Sequence, residues 1–269
     1  MTTFNHENYL GDLLDSIELE FYPDTEIILA DLGSSDSTLD VVMGHRLYLN
    51  NRIKLVPLRA GTNTLTALSR ELSGIKTKYV LGMSGDDVFF SGFGEIIRNL
   101  SVENQSQSVM INVTLVHTDE NLVPFKFQES RWSHFNRWNR YKLNFGNPGT
   151  GPGAIYPVKE LASALQKKHL AGLLIEDYFI YWQLVDKVRF INLPSAKILY
   201  RRHLKALGTQ YLNPDYAKSI GFSVGLAFNN SRNALGNLLS VFLFFRWIRH
   251  IPLKNLRSFF IGCKNGSRF

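Results

Sequence analysis

The segment EIILADLGSSDST, residues 26–38, runs from a short apolar stretch into a polar turn and then into the start of a helix. The apolar stretch has the length and composition of a buried strand. Gly33 permits a tight turn, and the side chains of Ser34 and Asp36 offer the oxygen atoms that cap a helix N-terminus. A strand that passes directly into a helix in this way predicts a βαβ unit.

The same alternation continues along the chain. Strand-like runs lie at 52–57, 78–83 and 108–116, and helix-like patterns lie at 8–18, 37–49, 64–73, 158–166 and 176–185. Short strands alternating with helices of about ten residues predict an α/β fold around a mostly parallel sheet. We predict one domain over residues 1–205, with a first half to about 116 and a second half from 117, and a basic helical extension over 206–269.

Acidic residues follow two of these strands. Asp31 comes directly after the first, and Asp86 and Asp87 come after the apolar start of YVLGMSGDDVFF, residues 79–90. In parallel α/β sheets, ligands bind beyond the carboxyl ends of the strands. Adjacent carboxylates beside apolar chain are unfavourable unless they are paired or bind a cation, and Mg²⁺ is commonly held by one or two carboxylates together with substrate phosphates. The pair predicts a divalent-cation site shared with a diphosphate; a polar turn that only ends the strand is the alternative.

The composition excludes several kinds of protein and site. The chain has 269 residues, of which 45% are hydrophobic, as is typical of a globular protein. Its one cysteine, Cys263, excludes an internal disulfide and favours a reducing compartment. No GxxxxGKS/T, GxGxxG or HExxH motif is present, which disfavours P-loop, dinucleotide-binding and zinc-protease sites. No apolar run reaches the roughly 20 residues of a membrane-spanning helix.

Two later motifs offer a base and cations. In IEDYFIYW, residues 175–182, the carboxylates of Glu176 and Asp177 stand at a helix start, where they either cap the helix or act as a general base on a hydroxyl. In YRRH, residues 200–203, the cations and the imidazole either offset the charge of a leaving diphosphate or form a solvated basic turn.

A third stretch mixes aromatic and basic residues. RWSHFNRWNRYK, residues 131–142, spaces four aromatic side chains three residues apart, with basic residues between them. Such a pattern suits either stacking of bases or sugars, or one packed face of a helix.

The net charge of +7 lies near the C-terminus. Asp215 is the last acidic residue, and eight Lys and Arg residues follow it. From residue 235 the chain alternates Phe, Trp and Leu with Arg and Lys, and Arg246 interrupts the apolar run. This pattern predicts an amphipathic segment at an anionic membrane surface, with a buried C-terminal helix as the alternative.

Four segments between residues 2 and 178 resemble, in order, the landmarks of the family 2 glycosyltransferases, inverting enzymes of the GT-A fold that use nucleotide sugars. They are TTFNHENYLGDLLDSI at 2–17, EIILADLGSSDST at 26–38, KYVLGMSGDD at 78–87 and IEDY at 175–178. The resemblance implies a Rossmann-like sheet and an enzyme of the kind that assembles bacterial surface polysaccharides. The sequence departs from the family pattern at Leu32 and Ser84, where acidic residues are common, and little chain precedes the first helix.

The resemblance also implies site residues. Nucleotide contacts would come from Thr3, Asn5, Asp31 and Ser34, and the metal, Mg²⁺ or Mn²⁺, would bind Asp86 supported by Asp87. Diphosphate contacts would come from Arg201, Arg202 and His203. Asp177 would be the catalytic base, with Glu176 near the acceptor and the loop at 146–155 lining the acceptor pocket. Arg59 or Arg70 would supply a further arginine of the family.

The expected function is metal-dependent, inverting transfer of a sugar, in the EC 2.4 class, from a nucleotide sugar, with UDP favoured. The acceptor would be a hydroxyl of a glycan or a lipid-linked glycan, at the inner face of the cytoplasmic membrane, and no nucleic-acid partner is expected. Two alternatives stay open at this point: a non-catalytic or truncated GT-A-like binding domain, and a basic nucleic-acid-binding protein.

Overall fold

A computed structural model describes residues 1–58, 64–100, 108–132, 136–165, 176–204, 206, 214–231 and 234–267. The strands are β1 (Thr2–Thr3), β2 (Ile27–Asp31), β3 (Ile53–Pro57), β4 (Tyr79–Leu81), β5 (Val88–Phe89), β6 (Val109–Thr118), β7 (Pro124–Gln128), β8 (Ile155–Pro157) and β9 (Arg189–Arg201). The helices are α1 (Leu10–Glu20), α2 (Thr38–Gly44), α3 (Arg46–Leu49), α4 (Thr64–Ser73), α5 (Phe93–Arg98), α6 (Asn136–Phe145), α7 (Val158–Leu165), α8 (Glu176–Leu184), α9 (Pro214–Asn229), α10 (Ala234–Ile248) and α11 (Leu256–Gly266).

The N-terminal half contains the parallel sheet that the sequence predicts. Its strands lie in the order β1–β2–β3, and Thr3 pairs with Asp31. The first strand is only two residues long, yet it pairs with β2 and makes a parallel bridge from Thr2 to Ser84 just after β4. That bridge places the end of β2 beside the segment that carries Asp86.

The second sheet is mixed, where the sequence predicts mostly parallel strands. Its order is β4–β8–β6–β9–β5, with β7 paired to β6; β6 and β9 are parallel and the remaining pairs are antiparallel. The connection from β6 to β7, residues 119–123, is too short for the crossover that a parallel pair requires, so β7 returns as a hairpin. β6 lies in the middle of this sheet and is buried at every position.

The C-terminal helices pack into the body of the protein. Side chains from α9 and α11 share one hydrophobic cluster with α8 and with Trp132. At the contact of α9 and α11, a Cβ on Gly221 would overlap the carbonyl of Phe259, and one on Gly262 would overlap the carbonyl of Lys218. Glycine is required at these positions because the two backbones touch directly.

Helix α10 is apolar on both sides. Gly236, Ser240 and Leu243 form its buried side, and the opposite side exposes Leu235, Leu238, Val241, Phe242 and Phe245. Among the described helices, none combines the length and the apolar character that crossing a membrane would need.

Candidate active site

Two loops at the carboxyl edge of the N-terminal sheet hold each other through hydrogen bonds. The backbone NH of Asn5 donates to Ser34 Oγ, and the NH of Ser35 donates to Asn5 Oδ1, each at 2.9 Å. The NH of His6 donates to Thr38 Oγ1 at 2.8 Å. The positive φ of Asn5, 54°, allows this close approach of the loops. The residues after β1 and those after β2 therefore form one hydrogen-bonded surface.

Asp31 organises the second of these loops. Its Oδ2 accepts hydrogen bonds from the backbone NH groups of Gly33 and Ser34, both at 3.1 Å, and its Oδ1 accepts one from the Ser34 hydroxyl. Thr3, its partner in the sheet, is also buried. The four residues that the sequence assigns to the nucleotide therefore lie together: Thr3, Asn5, Asp31 and Ser34.

Asp86 lies next to two histidines. His203 Nε2 lies 3.0 Å from Asp86 Oδ2, His6 Nε2 lies 3.9 Å from the same oxygen, and Ser84 Oγ donates to Oδ1. Burial acts to raise the pKa of Asp86, but the hydrogen bond with His203, the charge of His6 and the bond from Ser84 outweigh it, so the pKa is lowered. This carboxylate is ionised at neutral pH.

The Asp86 cluster has the composition of a divalent-cation site. One ligand atom from each of His6, Asp86 and His203 lies within 4.8 Å of the other two. Imidazole and carboxylate ligands together suit a first-row divalent cation such as Mn²⁺. The sequence identifies Asp86 and His203 as site residues but misses His6, although the quoted segment at 2–17 contains it.

Asp87 and Arg201 support the cluster from behind. Asp87 is fully buried and accepts a hydrogen bond from the backbone NH of Arg201 at 3.0 Å; burial, with the charge of Asp86, raises its pKa well above the ordinary value. The Arg201 guanidinium donates to Asp86 O at 3.0 Å, to Glu120 O at 2.8 Å and to Asp12 Oδ2 at 2.6 Å. Arg201 is 3% exposed, so its donors are directed to protein groups rather than to the predicted diphosphate.

The alternation of side chains along β9 divides the YRRH motif in two. Arg201 and His203 point to Asp86, whereas Tyr200 and Arg202 line a separate cavity. Successive residues of a strand point to opposite faces, which explains the division. From the sequence we predicted that all three basic residues of the motif contact the diphosphate. In the structure Arg202 lies on a different side from Arg201 and His203.

The cavity that Tyr200 and Arg202 line has a volume of about 450 Å³, and Asp177 also lines it. Its lining residues come from β6, β7, the glycine-rich loop, α8 and the end of β9: Leu115, His117, Phe125, Lys126, Gln128, Asn147, Gly149, Thr150, Asp177, Tyr200 and Arg202. The predicted loop at 146–155 thus contributes to the wall of this cavity. The three cavity residues of β7, Phe125, Lys126 and Gln128, were not assigned from the sequence, and Asn147 falls within the predicted loop without a role of its own.

Asp177 has neutral partners. Asn147 Nδ2 donates to Asp177 Oδ2 at 2.7 Å, and the backbone NH of Tyr178 donates to Oδ1 at 2.8 Å. Burial raises the pKa of Asp177 despite these hydrogen bonds. A carboxylate with a raised pKa is a stronger base when it is ionised, which suits proton abstraction from a hydroxyl. Glu176 begins α8, but its side chain lies outside the described residues.

The glycine-rich loop fits closely against α8. The backbone NH of Gly151 donates to the Tyr181 hydroxyl at 3.1 Å, and a Cβ on Gly149 would overlap the Tyr181 ring. Gly151 has a φ of 78°, in the left-handed region, and its Cβ position lies 3.4 Å from Asp177 Oδ2. The loop therefore sets the distance between Asn147 and the carboxylate of Asp177.

Some sequence candidates do not reach the site. Trp132 is buried and stacks on Phe190, with ring centroids 3.8 Å apart, which favours the packed alternative for the aromatic-basic stretch. Trp138 is exposed on α6. Arg70 is exposed on α4, and Arg59 lies outside the described residues.

Comparisons with known proteins identify the family and the fold of the chain. The family described as Glycosyl transferase family 2 matches residues 1–155, more than half of the chain. The chain belongs to this family. The O-antigen biosynthesis glycosyltransferase WbnJ of Escherichia coli is 23% identical over 209 residues, which are 77% of this chain and 79% of the relative. The glycosyltransferase EpsE of Bacillus subtilis (strain 168) is 30% identical over 90 residues, 34% of this chain and 32% of that relative.

Solved structures confirm the GT-A fold of this glycosyltransferase. S. aureus TarS 1–349 in complex with UDP has a TM-score of 0.59 at 18% identity, covering 90% of this chain and 69% of that one. The mannosyltransferase PcManGT of Pyrobaculum calidifontis, in complex with GDP-Man and Mn²⁺, has a TM-score of 0.58 at 13% identity, covering 98% and 72%. The predicted family, fold and general activity are thus confirmed.

Proposed function

We propose that this glycosyltransferase moves a sugar from a nucleotide diphosphate, with UDP favoured, to a hydroxyl of a glycan or lipid-linked glycan. The proposal rests on the observation that successive side chains at the end of β9 face two different environments. On one side lie His6, Asp86 and His203, which could hold a divalent cation, and on the other lies Asp177 in its own cavity. A donor diphosphate and an acceptor hydroxyl need these two environments.

His6, Asp86 and His203 would hold the divalent cation, and Thr3, Asn5, Asp31 and Ser34 would contact the nucleotide. A bound Mn²⁺ or Mg²⁺ would supply positive charge that stabilises a leaving nucleoside diphosphate. Relatives of this fold are described with Mn²⁺, and two imidazoles in the cluster favour Mn²⁺ over Mg²⁺. Asp87 and Arg201 would position Asp86 rather than touch the diphosphate.

Asp177 would remove the proton from the acceptor hydroxyl. The hydroxyl oxygen then bonds to the anomeric carbon as the bond from that carbon to the diphosphate oxygen breaks. The proton goes to Asp177, and the electron pair leaves with the diphosphate. One such displacement inverts the anomeric configuration, as in one-step glycoside cleavage. Asn147 would fix the orientation of the carboxylate through its bond to Oδ2.

Calorimetric titration of UDP, with and without Mn²⁺, tests the donor site. We expect Mn²⁺-dependent binding in the wild type, loss of that dependence in Asp86→Ala, and unchanged binding in Asp40→Ala, which alters an acidic residue on α2 outside both sites. Metal-independent binding, or equal binding by Asp86→Ala, would contradict the assignment. Repeating the titration with Mg²⁺, GDP and dTDP identifies the preferred metal and nucleotide.

The exposed side of α10 suggests that the protein binds its acceptor at a membrane surface. Leu238, Phe242 and Phe245 are 52%, 55% and 63% exposed, and the chain after Asp215 carries only basic charges. Apolar side chains flanked by Lys and Arg suit the interface of an anionic bilayer. We propose that the protein attaches peripherally through this side to the inner face of the cytoplasmic membrane, where lipid-linked acceptors would lie.

Sedimentation with vesicles tests the attachment. We expect binding to phosphatidylglycerol-containing vesicles and at least about ten-fold weaker binding by the double variant Phe242→Ser, Phe245→Ser, since two large apolar groups are removed. The matched control Leu19→Ser, Leu49→Ser alters side chains that are also exposed, on α1 and α3. Equal loss in both variants, or a concentration-dependent dimer in place of vesicle binding, would contradict it.

A further inference from the structure

Two basic side chains line the Asp177 cavity and have no carboxylate partner within ion-pair distance among the described residues. They are Lys126 on β7 and Arg202 just after β9. Among the described residues that line the cavity, Asp177 is the one acidic group. The lining therefore carries two permanent positive charges against one carboxylate, an excess that the proton-transfer step does not require.

Strand pairing explains why these cations share the cavity. His117 on β6 pairs with Lys126 on β7 and with Tyr200 on β9, and directly paired residues point to the same face. Arg202 follows Tyr200 by two residues, so it lies on that face too, and its Nη1 donates to the Tyr200 hydroxyl at 3.3 Å. The tyrosine thus holds the guanidinium beside the row formed by the three strands.

His117 separates the two cations. Its Nε2 lies 2.9 Å from Gln128 Oε1. The pKa of His117 is lowered, first by burial and also by the charges of Lys126 and Arg202, so the ring is neutral at neutral pH. Both cations act electrostatically on this one imidazole. A neutral ring between them can donate or accept a hydrogen bond without adding charge.

We propose that the cavity binds an acceptor that carries an anionic group, a phosphate or carboxylate on a sugar, through Lys126 and Arg202. This inference rests on the proposed function, in which Asp177 deprotonates the acceptor. The donor diphosphate is assigned to the other side of β9, at the Asp86 cluster, and does not use these two charges. A planar guanidinium binds phosphate and carboxylate oxygens in pairs, and an ammonium binds them as a point charge.

The rim of the cavity is compatible with a sugar. Phe125 lines the cavity and is 62% exposed, with its ring centroid 6.2 Å from that of His117. An exposed aromatic face can cover the apolar face of a sugar ring. An acceptor sugar would then place its anionic group at the two cations and a hydroxyl at Asp177.

Calorimetry on the full chain saturated with UDP and Mn²⁺ tests the inference. The probes are glycerol 3-phosphate and glucuronate, with glycerol and glucose as neutral counterparts, because the natural acceptor is unidentified. We expect both anions to bind more tightly than their neutral counterparts. We expect the double variant Lys126→Gln, Arg202→Gln to bind them at least about ten-fold more weakly. Arg189→Gln, an exposed residue at the opposite end of β9, is the matched control.

UDP binding is measured on the same variants. Weaker anion binding with unchanged UDP binding supports the inference. Weaker UDP binding with unchanged anion binding would assign both cations to the donor and overturn it. Equal affinity for charged and neutral probes would also overturn it. Failure of UDP to bind the wild type would instead contradict the proposed donor site, and the anion titration without UDP still decides the acceptor question.

Discussion

Asp86 is a buried carboxylate and Asp177 a half-buried one, and their pKa values shift in opposite directions. Two histidines and a serine hydroxyl surround Asp86 and lower its pKa, whereas Asp177 has an amide and a backbone NH, and burial raises its pKa. Burial alone would make both groups weaker acids. The comparison shows that the nearest partners determine the direction in which each pKa shifts, which suits the metal-ligand role proposed for Asp86 and the base role proposed for Asp177.

The largest expected effect is on catalysis. Asp177→Asn keeps an oxygen that can accept from Asn147, but it removes the base. We expect sugar transfer to fall roughly 10²- to 10⁴-fold, with Mn²⁺-dependent UDP binding unchanged. Transfer rates under saturating donor, together with the UDP titration, check this. An equal loss of UDP binding would mean that the two sides of β9 are not independent.

The second effect concerns the Asp86 side alone. Asp86→Asn removes the anionic ligand between His6 and His203, so we expect Mn²⁺ affinity to fall by at least about 100-fold. Mn²⁺ affinity is read from water-proton relaxation, with no substrate present. His6→Ala should lower it less, and Asp177→Asn should leave it unchanged. Full Mn²⁺ affinity in Asp86→Asn would show that the cation binds elsewhere.

Substitution of two glycines perturbs the Asp86 cluster and the Asp177 cavity separately, without changing a charge. A Cβ at Gly149 would overlap the buried Tyr181 ring, and one at Gly85 would lie 2.7 Å from Thr3 Oγ1 and 2.8 Å from His6 Nδ1. We expect Gly149→Ala to cost about 1–3 kcal/mol of stability and to slow transfer. Gly85→Ala should weaken Mn²⁺ and UDP binding a few-fold, with less effect on stability.

Thermal unfolding and UDP titration on both variants check this contrast. Gly11→Ala on α1 is the control, because no atom lies within 4 Å of its added Cβ and an alanine there should stabilise the helix by about 0.5–1 kcal/mol. Equal effects of Gly85→Ala and Gly149→Ala on UDP binding would contradict the separation of the two sides.

The smallest expected effect is on stability. The folded pKa of Asp177 is raised above the ordinary value of 3.8, so its protonated form stabilises the fold below that value, and this contribution is lost as pH rises through the folded pKa. Asp177→Asn should therefore have a higher Tm than the wild type at neutral pH, and the difference should vanish in acid. Transfer by the wild type should also fall as pH drops through the raised pKa. A Tm difference that is independent of pH would contradict this account.

The sequence predicted the elements whose side chains repeat with a clear period. The alternation from 26 to 57 predicted the parallel strands β2 and β3 and the helical segment between them, whereas the strand predicted at 78–83 pairs antiparallel with β8. The acidic residues at strand ends located the Asp86 segment. The cluster of His6, Asp86 and His203 could not be predicted from the sequence, because the three residues are far apart in the chain. They meet only after β1 and β9 have paired with their neighbours.

The sequence by itself determined the family, the α/β class and the residues with unusual local chemistry, since these depend on order and spacing along the chain. Only the tertiary structure decided what each charged residue faces. The alternation of side chains at the end of β9 directs Arg201, the last residue of the strand, to Asp86 and the next residue, Arg202, to the Asp177 cavity, and this alternation depends on how the strand pairs. A shift by one residue would exchange the two, so the assignment of roles is a property of sheet register rather than of the motif.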